Sequence, residues 1–289
     1  MPSDAPSKLI GVTNKLWISG RILFSLSVVA LGVENIVCAR IDDYHLGPGW
    51  AQIPCLPWLP AIPALAGVLG IIWASCGMGM LAGRGVIAAR ILGASLVICA
   101  ILAVLPRFLM APTSLTLRTA LFEVLAIAAI ASLQRRRAPV LRWFERTSRI
   151  LLGVALAVFG LNCFISFDEV AQRLPGWLPH PELWLQSCGA LLILSGVAVI
   201  TGLMQRAVAA ALGCLVGLWA LGVLLPVAVE ALITPGAPLD PAAWSNFFFA
   251  IGLCGGLWTL LRSSLQEKRM IERPVYAVRV TGGSPRRPS

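Results

Sequence analysis

Charge is what this chain has least of. Only 12% of its 289 residues are Asp, Glu, Lys or Arg, about half the share usual in a soluble domain. A water-soluble surface around a chain of this length needs more than that. With 58% of positions hydrophobic, the medium around most side chains has to be hydrocarbon, and the lipid bilayer is the first expected partner. Acidic residues are the scarcer sign, 13 against 23 basic, for a net charge of +10. Such an excess invites a nucleic-acid reading, but the basic residues do not interleave with aromatics along a polar face, so nucleic acid is excluded. Histidine is nearly absent. His45 and His180 both fall in connecting segments, whereas a bis-histidine haem needs imidazoles opposed across a bundle. The eight cysteines form no CxxC pair and no Cys/His cluster, which excludes a zinc site and a thioredoxin-type couple and leaves most of them as small apolar packing residues. No nucleotide-binding loop, flavin motif or nucleophile–base arrangement is present, so the sequence nominates no catalytic residue.

Long apolar runs are abundant instead. A helix crossing about 30 Å of hydrocarbon needs roughly 20 apolar residues, because each backbone amide must be satisfied within its own segment. Eight stretches meet this, approximately 17–37, 61–82, 86–105, 115–134, 149–167, 183–203, 207–230 and 244–262. Segments rich in Pro and Gly punctuate them, notably GPGWAQIPCLPWLPAIP at 47–63 and RLPGWLPHPELW at 173–184. The expected fold is an all-α membrane protein with eight transmembrane helices.

The second half repeats the first. GRILFSLSVVALGVEN from Gly20 aligns with SRILLGVALAVFGLNC from Ser148 at an offset of 128, PWLP at 57–60 aligns with GWLP at 176–179, and Leu105-Pro106 aligns with Leu225-Pro226 at an offset of 120. The chain therefore divides into an N-terminal segment 1–16, a four-helix unit 17–134, a basic linker 135–148, a second four-helix unit 149–262 and a basic, weakly ordered tail 263–289. Four crossings is an even number, so both copies enter from one face as parallel repeats, expected as two four-helix bundles side by side. With the N-terminus in the cytoplasm, 19 of the 23 basic residues fall on the cytoplasmic side, including six arginines between 135 and 149. The exceptions are Arg40, Arg107, Arg118 and Arg173. This bias predicts a multi-pass protein of the bacterial inner membrane with both termini cytoplasmic.

An ionisable group within hydrocarbon costs about 2.5–3.5 kcal/mol on insertion scales, which makes each one a candidate site. Glu123 lies near mid-membrane in the fourth stretch, either as a proton or ligand site or as a structural pair with Arg90 of the third. Glu34-Asn35 and Asn162 occupy equivalent places near the outer ends of the first and fifth helices. They either face a shared outer cleft or tie each helix end to its following loop. Trp50, Trp58, Trp177 and Trp184 suit a headgroup belt, with Trp58 and Trp177 also placed to line a quinone or lipid pocket. Cys38 and Cys55 share the outer side, where a periplasm permits a disulfide. Gly79-Gly83, Gly213-Gly217 and Gly252-Gly256 have the small-xxx-small spacing of close helix packing, with homo-oligomerisation as the alternative.

The pattern Arg149-Ile150-Leu151-Leu152-Gly153, Phe159-Gly160-Leu161-Asn162, Trp177-Leu178-Pro179 and Gly189 resembles the DoxX-like membrane proteins, which share a four-helix unit. The resemblance extends over both halves. Many relatives carry a basic residue just after the Gly-Leu-Asn step, where this chain has Cys163 and, in the other copy, Asn35. Some members of that wider group are similar to small subunits of thiosulfate:quinone oxidoreductase or to maturation factors for periplasmic redox enzymes. The resemblance thus implies an accessory or quinone-linked role beside a redox partner subunit, with quinone the expected cofactor. A transporter of small solutes or lipid and a non-catalytic assembly scaffold are the alternatives.

Overall fold

A computed structural model describes residues 5–38, 63–134, 142–172, 174, 176, 178–203, 205–233 and 241–271. Among these the chain is helical throughout, without strands. The helices are α1 (Ala5–Cys38), α2 (Pro63–Leu81), α3 (Gly85–Cys99), α4 (Leu105–Met110), α5 (Leu115–Leu133), α6 (Arg142–Ile165), α7 (Phe167–Ala171), α8 (Pro181–Thr201), α9 (Gln205–Trp219), α10 (Leu225–Ile233) and α11 (Pro241–Ile271). Seven spans are long and apolar enough to cross a membrane, and an eighth apolar helix, Leu65–Leu81, is shorter. Their faces away from the interior carry Ile71, Ile87, Ile98, Leu194 and Leu218 in the open, as side chains meant for lipid would be.

Two of the spans have a π-helical turn in the middle. Ala100–Val104 joins α3 to α4, and Ala220–Leu224 joins α9 to α10. Each ends directly before Leu-Pro. Pro106 and Pro226 have no N–H, and a proline ring in an α-helix collides with the carbonyl four residues back. The wider turn relieves this: the amide of Leu105 reaches back to the Ala100 carbonyl and that of Leu225 to Ala220, one residue further than in an α-helix.

The helices close into a ring. Helix α1 packs along both α2 and α11; α6 packs along α5 and α8; α3 bridges α2 and α5; α9 lies on α11. Helices α5 and α11 also touch each other through the middle, and they are the most buried spans, at 61% and 56% against 22% for α8. This differs from two self-contained bundles side by side. The backbones of α1 and α5, and of α6 and α11, stay further apart, the latter pair meeting through Phe159 and Phe249, while α5 packs on α6 and α11 on α1. The reason is the placement of small residues. A Cβ at Gly20 would strike the Gly255 carbonyl, and one at Gly255 would strike the Phe24 amide and the Gly20 carbonyl, so α1 and α11 approach backbone to backbone.

Glycine also sets the register within each half. Gly32 meets the backbone of Gly70 and Ala74, while Gly160 meets Gly189 and Ile193. Gly77 rests on the Ser25 carbonyl and Gly196 on the Gly153 carbonyl. Of the small-xxx-small pairs, Gly213-Gly217 faces Trp258 and Cys254, and Gly252-Gly256 faces Ser27, Ile127 and Ile130, all within the chain. Gly83 instead turns the chain between α2 and α3 at φ +89, in the left-handed region that favours glycine.

Candidate functional site

A partly open cavity of about 290 Å³ is bordered by α5, α6, α8, α9 with its π turn, and α11, with Val170 and Leu174 also on its wall. Most of its wall is apolar, with Phe159, Leu185, Leu192, Leu215, Trp219 and Leu253 among the lining residues. Four polar side chains share the wall: Thr119, Glu123, Asn162 and Asn246. An apolar chamber with a few converging polar groups is the usual form of a small-molecule site.

Helix periodicity explains the α5 wall. Leu115, Thr119 and Glu123 follow one another at intervals of four, so they project from one face. Ser114 starts this helix by accepting the Leu117 amide on its hydroxyl. Asn162 comes from the last turn of α6 and is held on both sides: its Oδ1 accepts from Arg118 Nε, and its Nδ2 donates to Thr119 Oγ1 at 3.1 Å. Arg118 Nη2 donates to Ser166 Oγ at 2.9 Å, so the guanidinium bolts α5 to the end of α6. Further in, Phe159 and Phe249 meet edge to face, with centroids 6.2 Å apart.

A second void, of about 20 Å³, is lined by Val28, Leu31, Trp73, Leu92, Leu96 and Ile127, together with Glu123, Val124 and Phe249. Its volume is close to that of a single water. Trp73 is only 2% exposed, and its indole N–H donates to Ser95 Oγ at 3.0 Å. Trp73 stands three residues after Gly70, as Leu192 does after Gly189, and Ser95 stands ten before Leu105, as Leu215 does before Leu225. Trp73 thus lines the smaller void, while Leu192 and Leu215 line the larger one. Glu123 and Phe249 border both spaces.

The sequence candidates are distributed unevenly around this site. Glu123 and Asn162 line the cavity. Arg90 is exposed on α3; Gly93, one turn on, sits beside Ser132 and Ala131 of α5, which places it roughly 13 Å along α5 from Glu123 at 1.5 Å per residue. Glu34 accepts from Ser245 Oγ of α11 at 2.6 Å, and Asn35 donates to the Leu31 carbonyl of its own helix at 2.7 Å. The hydrogen bonds of Glu34 and Asn162 therefore lead to α11 and α5, on two separate seams of the ring. Trp58, Trp177 and Cys55 lie outside the described residues, as does the Cys38 side chain. Trp184 is exposed at the start of α8. Arg118, Thr119 and Asn246 were missed. The readable signal for Arg118 was a cation one turn inside an apolar span; nothing in the sequence singled out Thr119 or Asn246.

The DoxX family model matches residues 146–224. Over these residues the chain is similar to DoxX proteins. The match runs from the first turns of α6 through the π turn after α9, so the matched segment supplies most of the cavity wall, and α5 and α11 close it. No curated protein and no solved structure matches the chain.

Proposed function

We propose that this DoxX-domain membrane protein serves as an accessory, quinone-linked component of a redox system in a bacterial inner membrane, holding a lipid-soluble molecule in the cavity of its second half. The observation that carries this reading is the wall itself, an apolar chamber of about 290 Å³ with Thr119, Glu123, Asn162 and Asn246 facing in. Such a wall suits a molecule with an apolar body and a few oxygens. Among the described residues no cluster of His, Cys, Asp and Glu is placed to hold a metal ion. Cys163, next in sequence to Asn162, and Cys188 line the same wall. Electron chemistry on this reading belongs to the bound molecule and to a partner subunit. Purification in native lipid nanodiscs, followed by mass spectrometry of extracted small molecules, is expected to return quinone at near one per chain. Glu123→Gln, which exchanges the carboxyl group on this wall for a neutral amide, is expected to lower that occupancy about ten-fold. Quinone-free wild-type protein would sink the reading; recovery of a phospholipid in its place would favour a lipid carrier.

The same proposal includes the architecture. The halves are read as copies of one four-helix unit, supported by the paired contacts Gly32–Gly70 and Gly160–Gly189 and by the two π turns ahead of Leu-Pro. Both termini and the 135–148 linker are assigned to the cytoplasm on the distribution of arginine. A cysteine placed in that linker is expected to resist a membrane-impermeant maleimide in intact cells and to react after lysis. Labelling from outside would reverse the orientation.

A further inference from the structure

The polar groups beside the cavity form a chain with one direction. Arg118 can only donate, so its Nε–H fixes Oδ1 of Asn162 as the acceptor and turns Nδ2 away from it. That Nδ2 then donates to Thr119 Oγ1 at 3.1 Å. A threonine hydroxyl that accepts at its oxygen still has one proton to give, and Thr119 lines the cavity. We infer that Arg118, Asn162 and Thr119 make a polarised donor relay whose last O–H binds a carbonyl oxygen on an apolar, membrane-dissolved molecule in this cavity. The inference rests on the cavity being a ligand site, as proposed above, and adds which chemistry orients the ligand.

Three features favour an acceptor oxygen over a donor group. The relay begins at a fixed positive charge, and each hydrogen bond along it strengthens the next in a low-dielectric setting. Asn246 lines the same wall as Asn162, and each side-chain amide carries N–H donors. Arg118 spends its hydrogen bonds on the neutral Asn162 and Ser166, so its field reaches the chamber without a carboxylate bound directly to the guanidinium by those contacts. Arg118 is a positioning residue, acting through Asn162. The carbonyl could belong to a quinone ring or to the carboxyl group of a fatty acid, two sources with one chemistry.

The test uses full-length protein in nanodiscs and three probes with the same ten-carbon chain: a decyl-substituted 1,4-benzoquinone, decanoic acid, and decylbenzene as the oxygen-free control. Wild type is expected to bind at least one oxygenated probe about ten-fold more tightly than decylbenzene, and the preferred one names the source. Thr119→Val keeps the shape and removes the hydroxyl; it is expected to erase that preference while leaving decylbenzene binding unchanged, and Thr119→Ser is expected to restore it. Arg118→Gln is expected to reduce the preference, with Arg118→Lys recovering part of it. Leu192→Trp, which fills the chamber, serves as the reference for binding outside it. Equal probe binding by wild type and Leu192→Trp overturns the cavity reading and the relay together. Loss of binding in Leu192→Trp with full discrimination retained in Thr119→Val overturns the relay alone.

Discussion

Leu192→Trp is expected to abolish ligand retention while leaving the protein folded. Leu192 lines the open chamber, whereas Trp73 lines a void of only about 20 Å³. On the proposed repeat Leu192 corresponds to Trp73, so an indole is expected to fit at that depth of the bundle. The chamber of about 290 Å³ gives the larger ring room without the overpacking that usually costs about 1–3 kcal/mol in a filled core. Mass spectrometry of the purified variant should find the retained molecule gone, and its thermal unfolding should match or exceed that of wild type. The reciprocal change, Trp73→Leu, should lower stability by about 2–4 kcal/mol, the range for emptying a core site of this size, and should leave Ser95 without its indole donor. Retention by Leu192→Trp at the wild-type level would show that the bound molecule sits elsewhere.

The other large effect is expected at the seam between the halves. Gly255→Leu should cost well above 3 kcal/mol and leave little folded protein, because a side chain at this position meets the Phe24 amide and the Gly20 carbonyl. Backbone cannot rotate aside as a side chain can, so the clash is relieved only by parting α1 from α11, the broadest contact joining the two halves. Gly222→Leu is the matched control: nothing lies within 4 Å of a Cβ built there, and that variant should be close to neutral. Temperature-dependent solubility of the two variants in mild detergent checks both. Survival of Gly255→Leu with an unchanged melting temperature would mean that the α1–α11 contact is dispensable.

On the proposed function, a redox partner and a bound quinone would place different demands on this fold. The partner would need a surface, and the outer faces carrying Ile71, Ile87, Leu194 and Leu218 are given to lipid on that reading. The bound molecule needs a way in. Helices α8 and α9, which meet only lightly, both contribute to the chamber wall through Cys188, Leu192, Leu215 and Trp219, so the least packed seam of the ring lies beside the site. A ligand dissolved in the bilayer would reach it laterally, without crossing a headgroup layer.

Composition and spacing determined the spans and their approximate ends, and pointed to the DoxX resemblance that the family model matches over residues 146–224. Each of these depends on one-dimensional quantities: the length of an apolar run, the absence of charge within it, and the positions of Gly and Pro. The Leu-Pro pairs at 105–106 and 225–226 read only as a match between the halves; that each follows a π turn came from the structure. Glu123 and Asn162 stood out because a polar side chain in hydrocarbon is costly wherever the helix packs. What only the tertiary structure decided was which helix meets which. The sequence offered two bundles side by side; close approach at Gly20 and Gly255 exchanged the partners of the fourth helices and put α5 and α11 at the centre. The relay from Arg118 through Asn162 to Thr119 spans 44 residues of sequence and exists only because α5 and α6 lie against each other. The chamber was equally invisible, for volume is a property of side chains facing across a gap, and in the sequence Leu192 and Leu215 read as ordinary apolar positions.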